Sequence, residues 1–355
     1  MTETTGKRSL LYVGTYSLRG SEGIYALDFD GDTGALTVRG VVANLRNPSF
    51  LALHPRGPWL YAISEAEGEG VVVAIAVSGA EGRTLNQQST RGRGPCHVAV
   101  DPFGEWLATA NYGSGSVSLH PLAADGSVGA ASDFVQHSGS GPRADRQEGP
   151  HAHSVNFDPT GRFLVAADLG TDRLMVYALD RASGTLSLHQ EVVLQPGAGP
   201  RHFTFDGPAR HAYAINELDN TVVTYDWDAA DGLLTAKQTI STLPSEFAGT
   251  SYTADIHIHP SGQYLYGTNR GHDSLAVFAV DPDSGALRAA GHVPTYGKHP
   301  RNFGISPDGR WVLVGNQDTD NIVAFQVRDN GAHLERVGES FALPAPVCLL
   351  FVPGG

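Results

Sequence analysis

The stretch GPHAHSVNFDPTGRFLVAADLGTDRLMVYALD, residues 149–180, decides the fold. It reads as Gly-Pro, an apolar run, a turn at Asp158–Gly161, a second apolar run ending at Asp168, a polar loop, and a third run from Arg173. Short runs rich in β-branched and aromatic residues, bounded by Gly, Pro and Asp, are strands. A second copy, GPRHFTFDGPARHAYAINELDNTVVTYDWD, begins at Gly199.

The same layout recurs from Asn47, Gly94, Thr253 and His299, and a truncated copy, APVCLLFVPGG, ends the chain. With Pro48, Pro95, Pro150, Pro200, Ala254, Pro300 and Pro346 as equivalent points, the steps are 47, 55, 50, 54, 46 and 46 residues. A period of about 50 residues belongs to propeller blades. Each copy holds three strands and then a fourth after phrases such as ASGTL or DSGAL, whose Gly suits a hairpin turn. The last copy supplies only VCLLFV, while the N-terminus opens with LLYVGTY, GIYALDF and LTVRGVV, the three strands it lacks. Pairing the two ends closes a ring and removes an exposed sheet edge. The expected architecture is all-β: a seven-bladed β-propeller of four-stranded antiparallel blades, one domain over residues 1–355.

Composition agrees and narrows the function. The chain of 355 residues has 43 Gly, 21 Pro and a formal charge of −13. Such a surface repels nucleic acid and anionic membranes, so neither is an expected partner. A small anionic substrate needs a local cluster of Arg and His. No apolar run reaches the length of a membrane span, and the opening MTETTGKRSLLYVGTY lacks the long apolar core of a signal peptide, which makes the cytoplasm the expected location. Cys96 and Cys348 are too few for a disulfide framework or a Cys-rich zinc site and are expected to be free and buried. The sequence does not indicate an oligomeric state.

In an antiparallel blade the start of the inner strand and the end of the second strand share one face. One end of the channel is therefore ringed by His97, His151, His153, Arg201, His202, Asp255, His257, Arg301 and Asn302 from inner strands. Glu65, Asn111, Asp168, Asn216, Glu217, Asn269, Arg270 and Asn316 come from second strands. Polar channel linings often only solvate one another. Functional weight therefore falls on residues that differ between copies: His153, Arg201, Glu217, Arg270 and Arg301. Arg forks suit carboxylate or phosphate. HAH (His151, His153) and HIH (His257, His259) have ligand-capable spacing, but His259 precedes Pro260 in a turn position, so no metal is expected. The long loop Gln136–Pro150 precedes the histidines and can cover the site; Arg143 and Arg146 could reach a ligand from it, but solvation is the expected state. No phosphate loop and no Gly-x-Ser-x-Gly element opening a helix is present.

The phrases GPHAHSV, GAGPRHFTF, AINEL, TADIHIHPSGQYLYGTNR and HPRNFGISPDG resemble the seven-bladed lactonase family, which holds the propeller-type 6-phosphogluconolactonases and the carboxy-cis,cis-muconate cyclases. The likeness spans essentially the whole chain, and GAGPRH with Glu217 sixteen residues after Arg201 is its most specific part. The resemblance implies a lactonase without cofactor acting in the pentose phosphate pathway on 6-phosphogluconolactone, with His153, Arg201, Glu217 and Arg270 in the active site. His151 rivals His153. His151, His202, Arg301, Asn111 and Asn316 are the expected substrate contacts. In that scheme Glu217 or His153 is general base, Arg201 with a neighbouring His stabilises the oxyanion, and Arg270 and Arg301 hold the phosphate. A lactonising cyclase would use the same rim. A non-catalytic binding propeller would not need arginines and a carboxylate converging on a narrow mouth.

Overall fold

A computed structural model describes residues 8–65 and 68–353, and these form seven four-stranded antiparallel sheets. Residues 1–7, part of the segment read for a leader, lie outside the described residues. We number the blades by inner strand: Leu51–Leu53 (blade 1), Pro95–Val100 (2), Ala152–Phe157 (3), Pro200–Phe205 (4), Tyr252–Ile258 (5), Pro300–Ile305 (6) and Pro346–Phe351 (7). The ring closes as the repeat predicts. The inner strand of blade 7 pairs with Arg8–Thr15 in the register Leu11↔Phe351 and Gly14↔Cys348, and the strands Ile24–Asp30 and Leu36–Ala43 complete that blade.

Second strands are buried on both faces because each blade is sandwiched between two others. Phe163–Asp168 and His211–Asn216 are buried at every residue, whereas the outer strand Thr185–Val193 has no fully buried position. The core therefore lies in wedges between blades. Phe163, Val165 and Val176 of blade 3 pack on Phe203, Tyr225 and Trp227 of blade 4.

The hairpins between third and fourth strands follow from their sequence. Asp180 accepts a hydrogen bond from Ala182 N at 2.9 Å and Asp281 from Ser284 N at 2.9 Å, while Gly184 and Gly285 both take φ +67°, which a side chain would strain. Those turns also stitch the ring. Tyr12, Tyr61, Tyr213 and Tyr266, each on the second strand of its blade, donate to the carbonyls of Gly79, Gly126, Gly285 and Gly331 in the next blade, at 2.7 to 3.0 Å.

Each Gly-Pro entry carries a β-bulge. Pro200 opposes Asn216 but His202 opposes Ile215, so Arg201 is an extra residue; the same shift occurs at Pro95/His97 and Pro300/Asn302. In blade 3 the shift lies between Ala152 and Ser154, with Ala152 opposite Asp168. The equivalent point is thus Ala152 rather than Pro150, because the inserted His151-Ala152 pair lengthens the loop and leaves His151 outside the strand. In blade 5 it is Thr253, opposite Asn269, rather than Ala254. His153 is therefore the counterpart of Arg201 and Arg301.

Candidate active site

A bulge re-aims side chains at a sheet end, and here it puts two consecutive residues of one strand into the channel. The contacts cross the ring: His202 of blade 4 lies 5.4 Å from His97 of blade 2, 5.5 Å from His153 of blade 3 and 5.7 Å from Phe50, next to the inner strand of blade 1 (centroid distances). Blades this far apart in sequence meet only at the axis.

Glu217, the residue after the second strand of blade 4, is the centre of the rim. Its Oε2 receives Arg201 Nε at 3.0 Å and Arg270 Nη2 at 2.7 Å, and its Oε1 receives Arg146 Nη2 at 2.5 Å. Against the cost of burial, Arg270, Arg201 and Arg146 hold the Glu217 carboxyl far below the usual carboxylate range. It is ionised at any working pH, and its oxygens are occupied. Burial pushes the Arg201 pKa down, as do Arg270 and Arg301, against the pull of Glu217. Arg201 Nη1 also donates to Ala254 O at 2.5 Å and to His202 Nε2 at 3.0 Å.

That last bond fixes a tautomer. His202 Nδ1 donates to Asp255 Oδ1 at 2.7 Å, so Nε2 is free to accept from Arg201. Asp255 Oδ2 accepts from His257 Nε2 at 2.9 Å and Asn302 Nδ2 at 2.6 Å. Burial, then the Arg201 charge, take the His202 pKa down to about 4, so the imidazole is neutral.

His153 is buried, and burial followed by Arg201, His202 and Arg301 lowers its pKa well below the histidine norm. Its Nδ1 lies 3.8 Å from Cys96 Sγ. The His153 imidazole is therefore neutral, and among the described residues nothing hydrogen-bonds its Nε2. His151, outside the strand, stacks on Tyr112 at 4.4 Å and donates Nδ1–H to Tyr112 O at 2.9 Å. Arg301 lies 5.2 Å from the ring centroid of Tyr16, whose hydroxyl donates to Glu65 at 2.9 Å; burial first, then Glu65, raise the Tyr16 pKa to about 12.

The structure thus brings together His153, Arg201, His202, Glu217 and Arg270, with His151 and Arg301 at the edge. Asn111 and Asn316 stand apart. Both are fully buried, and their Nδ2 groups bond Thr90 O at 3.3 Å and Thr295 O at 3.0 Å, tying each blade to its predecessor. His257 and His259 do not converge: His259 bonds Ser261 Oγ at 2.8 Å and Gly309 O at 2.8 Å in the turn at the far end of its strand. Both cysteines are free and buried. Among the described residues no three His, Cys, Asp or Glu side chains are placed to hold a metal ion, and no helix is long and apolar enough to cross a membrane.

Arg146 is the residue that sequence reasoning misplaced. Expected in solvent, it reaches Glu217 because the loop folds back over the mouth. The signal was slight: an Arg in an insertion next to the varied Gly-Pro entry. Tyr16 and Tyr112, at the Glu217 position of blades 7 and 2, were also not singled out.

Fold and rim together define a seven-bladed propeller with a cationic, largely desolvated channel mouth. The chain belongs to the lactonase family of seven-bladed β-propellers, whose family model matches residues 10–351. It is 37% identical over 343 residues to a 6-phosphogluconolactonase of Bacillus subtilis, covering 96% of this chain and 97% of the relative. A 6-phosphogluconolactonase of Formosa agariphila is 34% identical over 326 residues, 89% of this chain and 92% of that one. The solved structure of the periplasmic gluconolactonase of Pseudomonas aeruginosa superposes with a TM-score of 0.91 at 32% identity, covering 97% of this chain and 99% of that one.

Proposed function

We propose that the chain hydrolyses a sugar lactone and that 6-phosphogluconolactone is its substrate. The observation that carries the reading is the pairing of a neutral imidazole, His153, with a buried guanidinium cluster held by Glu217. The names of the relatives support the same chemistry.

In this reading the lactone carbonyl lies against Arg201, whose position is fixed by Glu217, Ala254 O and His202. Water adds to the carbonyl carbon while His153 Nε2 takes its proton, and the negative charge on the former carbonyl oxygen is met by Arg201. Collapse breaks the bond from the carbonyl carbon to the ring oxygen, which recovers the proton from His153. The new carboxylic acid then releases a proton to solvent. Glu217 serves as the anchor of the arginines rather than as base, because Arg270 and Arg201 hold its carboxyl far below the usual carboxylate range and leave it a poor proton acceptor. General-base catalysis contributes roughly 10²-fold or more, and removing an oxyanion donor costs about as much.

The test is acid release at constant pH from freshly prepared 6-phosphogluconolactone. His153→Gln and Arg201→Ala should each lower kcat by about 10²-fold. Opening by the wild type no faster than in buffer contradicts the proposal.

A further inference from the structure

Three guanidiniums face one carboxylate at Glu217, and they are not equivalent. Arg201 and Arg270 are almost fully buried and each has a backbone anchor as well, Ala254 O at 2.5 Å and Thr253 O at 2.6 Å. Among the described residues Arg146 has none: beyond Glu217 its side chain meets only Tyr112 Oη at 3.5 Å and the face of Tyr252 at 5.6 Å, and it is 27% exposed.

Its backbone, by contrast, is pinned. Arg146 N bonds Arg143 O at 3.0 Å, and the adjacent Gln147 is fully buried, its Nε2 on Leu169 O at 2.8 Å and Asp172 Oδ1 at 2.7 Å. Asp172 also accepts from Gly197 N and Gly199 N at 2.7 and 2.8 Å, which locks the loop to the entry of blade 4. Arg146 can therefore leave Glu217 by side-chain rotation alone.

Charge supplies the reason to leave. The guanidiniums of Arg146, Arg201, Arg270 and Arg301 gather at the mouth with the carboxylates of Glu217, Glu65 and Asp255, so cationic groups outnumber carboxylates there although the chain's net charge is −13. The nearby acids are engaged elsewhere: Glu65 by Tyr16 and Ser49, Asp255 by His202, His257 and Asn302. After losing Arg146, Glu217 keeps two partners. A dianion arriving at the mouth gains a partly exposed Arg fork, whose planar donors suit phosphate oxygens.

We propose that Arg146 is the specificity-determining residue for the substrate's anionic group: Glu217 parks it, and a phosphate monoester draws it away on binding. This rests on the reading of the channel mouth as the lactone site. A phosphate monoester is favoured over a single carboxylate because its two charges and several terminal oxygens draw a guanidinium fork more strongly than one charge does.

The experiment compares 6-phosphogluconolactone with glucono-1,5-lactone in turnover, and 6-phosphogluconate with gluconate in calorimetric binding. The proteins are wild type, Arg146→Gln, Arg146→Lys and Arg143→Gln. The wild type should prefer the phosphorylated member of each pair. Arg146→Gln should lose about tenfold or more on the phosphorylated compounds and change little on the others, the usual loss for a hydrogen bond to a charged group. Arg146→Lys should recover part of the preference, and Arg143→Gln, whose side chain pairs with Asp145 at 3.0 Å, should match wild type. Equal losses on both members of a pair would make Arg146 a mere support for Glu217 and overturn the proposal, as would absence of a phosphate preference in wild-type binding. An Arg146-dependent phosphate preference in binding without turnover would support this proposal and overturn the lactonase reading alone.

Discussion

Among the residues of the rim, protonation states distinguish the possible bases. Glu217 is a carboxylate held by three arginines, and His153 is an imidazole that burial and neighbouring cations keep neutral. A base whose pKa is lowered stays deprotonated to lower pH, so the acid limb of kcat/KM for lactone opening, corrected for the spontaneous rate, should lie well below 6.5. A limb at the ordinary histidine value of about 6.5 would contradict the assignment of His153 in this environment. His153, Arg201, Glu217 and Arg270 were legible in the sequence because they break a repeat whose other positions are explained by turns. Arg146 was not legible, since nothing in a loop's composition says which way it folds. Asn111 and Asn316 recur at one blade position because each ties its blade to the preceding one, and their bonds to Thr90 O and Thr295 O, which no composition reveals, set them apart from the Glu217 cluster.

Elements carry the same lesson in their registers. Strand order, hairpin glycines and ring closure follow from alternating runs and turn residues, but the bulges do not, because an extra residue leaves no mark in composition. They moved the equivalent point of blade 3 by two residues and so put His153, not His151, at the blade position of Arg201 and Arg301. The tyrosine stitches between blades make an energetic prediction. Tyr213→Phe removes the donor to buried Gly285 O and should cost about 1–3 kcal/mol, read as a lower denaturant midpoint at unchanged slope. Tyr225→Phe is the control. Tyr225 is equally buried, and its hydroxyl has no hydrogen-bond partner among the described residues, so this change should be neutral or slightly stabilising. Equal losses in the two variants would show that the interblade bonds do not carry the stability assigned to them.

For the whole molecule, closure is what makes the site possible. The terminal strands Pro346–Phe351 and Arg8–Thr15 share one sheet, and Leu349 N bonds Asn302 Oδ1 at 2.6 Å. Through Asn302 the closing strand is joined to Asp255, and through Asp255 and His202 to Arg201. A ring held this way presents inner-strand side chains from several blades to a single point with little freedom to relax, the preorganisation that oxyanion stabilisation needs. The central claim is that this rim opens lactones with Glu217 as its organising carboxylate. The most direct measurement is the initial rate of 6-phosphogluconolactone opening, with the product trapped by a coupled dehydrogenase, for wild type and Glu217→Gln, each with and without chelator. Wild-type turnover should be rapid and indifferent to chelator, and Glu217→Gln should lose about 10²-fold or more, because the arginines lose their common anchor. A Glu217→Gln enzyme as fast as wild type, or a wild type no faster than the spontaneous reaction, would contradict it.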